Sequence, residues 1–342
     1  MKASNIAYSI IIAVAAVVIL VFGKNILQPL VLAILIWFLL KSVRNFVGKI
    51  RIRKNSLPVW LTNVIAFILI FGVLSLVGRL LSSSVVNLSK QIPLYRENVQ
   101  DITLQLNQLF NVNIVDWLED TFNNFDFTSI LQGALNAVYE LFADAFLVLL
   151  YVSFLLIEES ALPHKLKAMF PEQASFHRVN ELLKKLNHSI NNYIWLKTVI
   201  SLITGICSYI ALLLIGVDSA FFWAFLIFLL NFIPTIGSLI ATVFPAVMSL
   251  LQTGSFTPFL LVIAFVGVIQ LIVGNVLEPK MMGDSLNISS LVVLLALAFW
   301  GSIWGIVGAI LSVPVTVVLI ILFAQFPKTR SIAIMLSEKG KI

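Results

Sequence analysis

The sequence predicts an all-α fold: a polytopic transmembrane helical bundle of about eight spans, with two broken or re-entrant helical regions in its C-terminal half. Three observations predict it. Of the 342 residues, 60% are hydrophobic and only 11% charged, whereas a soluble domain covers its surface with about 25% charged residues. The apolar residues come in long runs, and about 20 of them span the roughly 30 Å hydrocarbon layer as a helix. The shorter alternating segments of a β-barrel are not visible.

Taken in order, the first two runs, 6–22 and 26–40, flank the turn Gly23-Lys24-Asn25 and must pair as a hairpin. Run 6–22 has no small-residue cleavage site before run 26–40, so it reads as a retained span rather than a signal peptide. Lys41, Arg44, Lys49, Arg51, Arg53 and Lys54 follow with no acid among them, and the positive-inside rule places this 41–58 loop in the cytoplasm. A third span, 59–81, completes an N-terminal block, 1–81. The polar segment 82–133 carries Glu97, Asp101, Asp116, Glu119, Asp120 and Asp126 against Lys90 and Arg96, which fits the outside. Within it Ile92, Val99, Ile102, Leu106, Leu109 and Phe110 recur at helical spacing. That spacing predicts an amphipathic helix lying on the bilayer or on a neighbouring subunit.

A fourth span, 134–157, returns inward, and the basic segment 158–197 reads as cytoplasmic and amphipathic. The block 198–326 then forms a predicted transport core. It holds a span at 198–215 and an apolar region at 221–251, interrupted by Pro234, Gly237 and Pro245. A span at 259–277 follows, then a region at 291–323 interrupted by Gly301, Gly305, Gly308 and Pro314. The basic tail, 327–342, is cytoplasmic by the same charge rule, and an even number of crossings puts both termini inside.

Several chemistries find no support. The net charge of +6 sits in loops beside apolar runs, so it reads as membrane orientation and not as nucleic-acid binding. His164, His177 and His188 are spaced too widely for a metal site, and Cys207, alone in an apolar run, reads as a small buried side chain. Phosphate-loop, H-E-x-x-H, CxxC and G-x-S-x-G patterns are absent from the sequence, so no enzyme, metal or cofactor is expected.

The two interrupted regions resemble each other. Residues 232–245 and 299–314 each carry an aromatic, a break of Gly, Pro or hydroxyl residues, a small-residue helix and then a proline. Interrupted hydrophobic segments at matching positions point to a transporter's binding site, because broken backbone frees amides and carbonyls. Polar residues inside spans are costly and default to function. The candidates for a substrate or ion path are Asn231, Pro234, Thr235, Gly237 and Ser238 at the first break, with Gln270, Gly274, Asn275, Glu278 and Pro279 in the seventh segment. Gln270, Gly274 and Glu278 recur every four residues as a polar stripe, with Lys280 placed to neutralise Glu278. Glu140 and Asp144, four apart on the fourth span, and Glu278 are the proton or cation candidates.

Asn231-Phe-Ile-Pro-Thr-Ile-Gly237 with Pro245, and Gly274-Asn-Val-Leu-Glu-Pro-Lys-Met-Met-Gly283, resemble segments of the autoinducer-2 exporter transporter family. The continuation through Phe299-Trp-Gly301, Gly308 and Ser312-Val-Pro314 is also similar. The resemblance implies a bacterial inner-membrane protein that assembles as a homo-oligomer, a pentamer among the forms it allows. It also implies export of a small polar solute, with the quorum-sensing signal autoinducer-2 as one substrate. Sodium (cation)/proton antiport is the alternative, and a non-transport membrane scaffold recruiting a partner through 82–132 is the third reading. The expected partners are the lipid bilayer and a small molecule or ion.

Overall fold

The computed structural model describes residues 3–48, 58–110, 133, 145–282 and 288–340. Among these residues there is no strand, and seven helices are long and apolar enough to cross a membrane. Large apolar side chains such as Leu260, Leu271, Leu291 and Leu295 stand exposed along them. Apolar exposure on this scale has no place in water, and lipid covers it. Cys207 belongs to this outer surface: it is exposed, not buried as its apolar run suggests. In a lipid-facing helix, an apolar run no longer implies burial within the protein.

The helices are α1 Ala3–Phe22, α2 Lys24–Gly48, α3 Val59–Phe110, α4 Ala145–Met169, α5 Gln173–Ile215, α6 Ala220–Leu230, α7 Ile236–Thr253 and α8 Phe256–Ile272. A π-helical turn, Val273–Leu277, leads into the short α9, Glu278–Met282, followed by α10 Ser290–Gln325 and α11 Arg330–Leu336. The chain divides into two compact units. One comprises Met1–Ala66, Glu140–Trp195 and Asp284–Ile342, and the other Phe67–Tyr139 and Leu196–Gly283.

In the first unit, α1 and α2 form the expected hairpin, turning at Gly23, where a Cβ would collide with the Ile19 carbonyl. α2 packs on α4 and α10, and α10 packs on α11. A core of Ala296, Trp300, Trp304 and Leu311 is covered by Leu20, Leu27, Val31 and Leu35 of the hairpin. At the far end of α2, Arg44 makes a two-pronged contact with Glu159, its Nη2 donating to Oε1 at 2.8 Å and its Nη1 to Oε2 at 3.2 Å. Trp37 donates to the same carboxylate at 3.1 Å, and Lys41 stands 3.7 Å from it. Two residues of the basic 41–58 stretch, Lys41 and Arg44, therefore clamp α2 to α4.

α3 has 52 residues, about 78 Å at 1.5 Å per residue and more than twice the hydrocarbon thickness. The amphipathic spacing beyond residue 82 thus belongs to an unbroken continuation of the third span. Leu81, Leu88, Tyr95 and Ile102 are buried and fall seven residues apart, the repeat of a helix with one seam facing protein. In the second unit that seam docks on the chain itself. Tyr95 donates to Asp218 at 2.7 Å, and Asn98 donates to the Leu251 and Gln252 carbonyls at 3.0 and 2.8 Å. The last carbonyls of a helix lack intrahelical partners, and Asn98 supplies one to α7. Glu140 and Asp144 lie outside the described residues, as do residues 111–132 and Gly283.

Candidate functional site

Both interrupted regions fold back on themselves. In the first, α6 ends at Asn231 and packs against α7. Pro234 cannot supply an N–H to the ladder, and the chain reverses at Thr235. The Ile236 N–H donates to the Pro234 carbonyl at 2.6 Å across Thr235, whose φ of 61° and ψ of −59° form a γ-turn of the strained, positive-φ kind. Ser238 Oγ donates back to the Thr235 carbonyl at 2.9 Å. Gly237 closes the turn: a Cβ there would collide with the backbone of Leu230. In the second region α10 reverses at Gly305 (φ 61°, ψ −140°), and a Cβ at Gly308 would collide with the backbone of Trp300. The carbonyl freed at this break belongs to Trp304 and accepts from Gln28 Nε2 at 2.7 Å, while Trp304 Nε1 donates to the Leu20 carbonyl at 3.0 Å.

The sequence likeness of the two regions is therefore a likeness of structure. Each has a positive-φ residue at the break, and a glycine two or three positions later sits against the end of the preceding arm. Pro245 and Pro314, expected to interrupt their helices, lie inside α7 and α10. A proline interrupts only its own ladder bond, whereas the reversals need positive φ.

The second unit gathers several predicted site residues around α5. Lys197, Ser201, Thr204 and Ser208 are all buried, at spacings of four, three and four, so they form one polar stripe down a helix face. Asn231 Nδ2 donates to Ser201 Oγ at 3.1 Å. One turn earlier on α5, Lys197 Nζ donates to Glu278 Oε1, with side chains 4% and 27% exposed. The structure thus joins Asn231 and Glu278, 47 positions apart in sequence, through adjacent turns of α5. The cation meeting Glu278 is Lys197, not the adjacent Lys280, which is exposed.

The π-helical turn explains how Glu278 reaches α5. A proline ring clashes with the carbonyl four residues earlier, which for Pro279 belongs to Asn275. Widening the helix relieves the clash, and the Glu278 N–H donates to the Val273 carbonyl instead. The same turn breaks the four-residue stripe. Gln270 is buried and Glu278 is half-buried, but Gly274, Asn275 and Pro279 are exposed. Thr235 is exposed at the hairpin tip, with Pro234 and Ser238 half-buried beside it and Gly237 buried.

A bundle of long apolar helices, with two regions reversed at positive-φ breaks and a largely buried ion pair and an amide beside one of them, defines a multi-pass membrane transporter. Comparison with known proteins places it more closely. Residues 10–328 match the model of the AI-2E family transporters, and the chain belongs to that family. It is 32% identical over 324 residues to the AI-2 transport protein TqsA of Escherichia coli, covering 94% of this chain and 92% of that protein. It is also 32% identical to a putative transport protein of Haemophilus influenzae, over 96% of each chain. A putative transport protein of Borreliella burgdorferi is 30% identical, over 98% of this chain and 91% of the relative.

Proposed function

We propose that this protein moves a small polar solute across the bacterial inner membrane along the buried polar face of α5, and that autoinducer-2 is that solute. The observation carrying the reading is the joining of Asn231 and Glu278 to Ser201 and Lys197 on that face. Hydroxyls, amides and a neutralised charge pair suit a solute without net charge. TqsA, similar over nearly the whole chain, supplies the candidate substrate.

The two reversed regions set the topology we favour. α6 has 11 residues, about 16 Å, and the first arm of α10, 290–304, is about 22 Å long. Both are short of the ~30 Å layer, so each region enters and leaves on one face of the membrane. α1 to α5 and α8 then make the crossings, the 41–58 loop and the tail share the cytoplasmic face, and the charge rule holds. A homo-oligomer, pentameric by family resemblance, completes the proposal.

Sodium/proton antiport is the alternative, and Glu278 argues against its own part in it, since a cation must displace the ammonium of Lys197. Efflux of autoinducer-2 from proteoliposomes, alongside a sodium gradient and a pH dye, tests both. Signal that moves without a gradient, and slows in Asn231→Ala, supports the proposal. Sodium-driven proton flux abolished by Asp144→Asn or Glu278→Gln, with no movement of signal, contradicts it.

A further inference from the structure

Water and hydrocarbon are both poor solvents for the chain that follows α10. Phe326, Ile332, Ile334 and Met335 are 62%, 47%, 42% and 84% exposed. Interleaved with them, Lys328 and Arg330 are exposed as well, and among the described residues neither meets a carboxylate. The apolar set loses in water, and the charged set loses in hydrocarbon. A membrane–water interface satisfies both, with the apolar groups sunk below the headgroups and the charges among them.

Hydrogen bonds hold α11 at that depth. Thr329 Oγ1, just before it, donates to the Phe323 carbonyl at 2.8 Å, filling one of the acceptors left open at the end of α10. At the other end of α11 the Leu336 carbonyl accepts from the Ser289 N–H at 3.2 Å, and Ser289 caps the start of α10. α11 has seven residues and is about 10 Å long, so the two ends of α10 lie about that far apart, well within the ~30 Å layer. The helix runs along the membrane surface, from where α10 leaves to where α10 enters. One face of it is packed: Ala333 is wholly buried, and Ser337 beyond it is buried too. Met335, two residues on from Ala333, is turned about 160° from it and points away from the protein.

We propose that α11 is an interfacial anchor that binds anionic lipid, with Lys328 and Arg330 on the headgroup phosphates and Phe326, Ile332 and Met335 in the acyl boundary. The inference rests on the topology proposed above, in which the tail meets the cytoplasmic face, and not on the identity of the transported solute. The charges choose the lipid class. Of the residues from 326 to 342, four are basic and Glu338 alone is acidic, so an anionic surface attracts this segment and a zwitterionic one does so far less. A seven-residue helix is too short to order itself in isolation, but packing on α10 removes that cost before lipid arrives. The anchor thereby ties the base of the second reversed region, Ser289 included, to the composition of the leaflet.

The test labels Met335→Cys with bimane in the full chain carrying Cys207→Ala, reconstituted in nanodiscs of mixed phosphatidylcholine and phosphatidylglycerol. Bromine is carried on the acyl chains of one lipid or of the other. Both should quench the label, and brominated phosphatidylglycerol, mole for mole, about fivefold more, the weight of one basic residue at an anionic surface. Lys328→Gln/Arg330→Gln should lose that excess while quenching by either lipid persists. Equal quenching by the two lipids in the parent chain overturns the proposal. So does a label that aqueous iodide reaches and neither lipid does, since α11 then stands in water. A label reached by neither has protein over it, a second copy or another partner, and overturns the proposal too. Should Met335→Cys fail to fold, Ile332→Cys carries the label. A membrane-impermeant maleimide applied to intact cells bearing Glu338→Cys, at an exposed position past the helix, separates the two readings. Labelling from outside removes the cytoplasmic placement and leaves the lipid contact standing, whereas protection together with equal quenching removes the anchor alone.

Discussion

Glu278, on the far side of a π-helical turn, meets Lys197, 81 positions earlier in the chain, and the ammonium is almost wholly buried. Removing one member of a buried pair strands the other charge, at about 3–5 kcal/mol. Glu278→Gln and Lys197→Met should each lower the thermal unfolding midpoint in detergent. The double variant Lys197→Met/Glu278→Leu should recover most of that loss, because well-packed apolar residues often replace a buried pair without penalty. A double variant no better than the worse single would show that the pair is not a closed unit.

Thr235 occupies the strained centre of the first reversal. A residue other than glycine in such backbone costs about 1–3 kcal/mol. Thr235→Gly should therefore raise stability by an amount in that range while altering the transport rate, since the break would no longer be held in one shape. Unfolding curves and efflux rates on the same preparation check both halves.

Gly237 and Gly308 each leave no room for a Cβ against backbone, whereas a Cβ at Gly267 meets nothing within 4 Å. Gly237→Ala and Gly308→Ala should each destabilise by more than about 2 kcal/mol, and Gly267→Ala should stay within about 0.5 kcal/mol of wild type. Equal behaviour of all three in thermal unfolding would contradict the hairpin geometry.

Burial raises the pKa of the Tyr95 hydroxyl well above the ordinary tyrosine value, and its hydrogen bond to the Asp218 carboxylate and that group's charge add to the shift. A raised folded-state value means that the native protein holds this proton after the unfolded chain releases it. The stabilisation is therefore complete below the ordinary value of 10.0 and fades as pH rises through and beyond it. Tyr95→Phe should lose about 1 kcal/mol at neutral pH and show a shallower fall in stability above pH ~10. Denaturation followed from neutral to alkaline pH checks the difference in slope.

Much of this architecture is legible in the sequence, and the parts that are not have physical causes. Apolar runs mark the spans because lipid allows little else, and the likeness between 232–245 and 299–314 is visible in residue types. Asn231 and Glu278 stand out as polar groups inside apolar segments. Lys197 does not, because a span drawn from residue 198 leaves it in a basic cytoplasmic stretch. Its spacing of four, three and four with Ser201, Thr204 and Ser208 was the available signal. The even stripe of Gln270, Gly274 and Glu278 assumes an unbroken α-helix, an assumption that Pro279 defeats by forcing the π-helical turn. The heptad Leu81, Leu88, Tyr95 and Ile102 was readable too, but acid-rich neighbours disguised it as a separate surface helix.

The central claim is that solute passes along the face of α5 where Ser201 bonds Asn231. A double-mutant cycle on autoinducer-2 efflux from proteoliposomes tests it most directly, using Ser201→Ala, Asn231→Ala and the two together. If the pair acts as one unit on the path, each single variant slows efflux and the double slows it no further than the worse single, a coupling of about 1 kcal/mol. Efflux unchanged in all three variants, or losses that simply add, would place the path elsewhere.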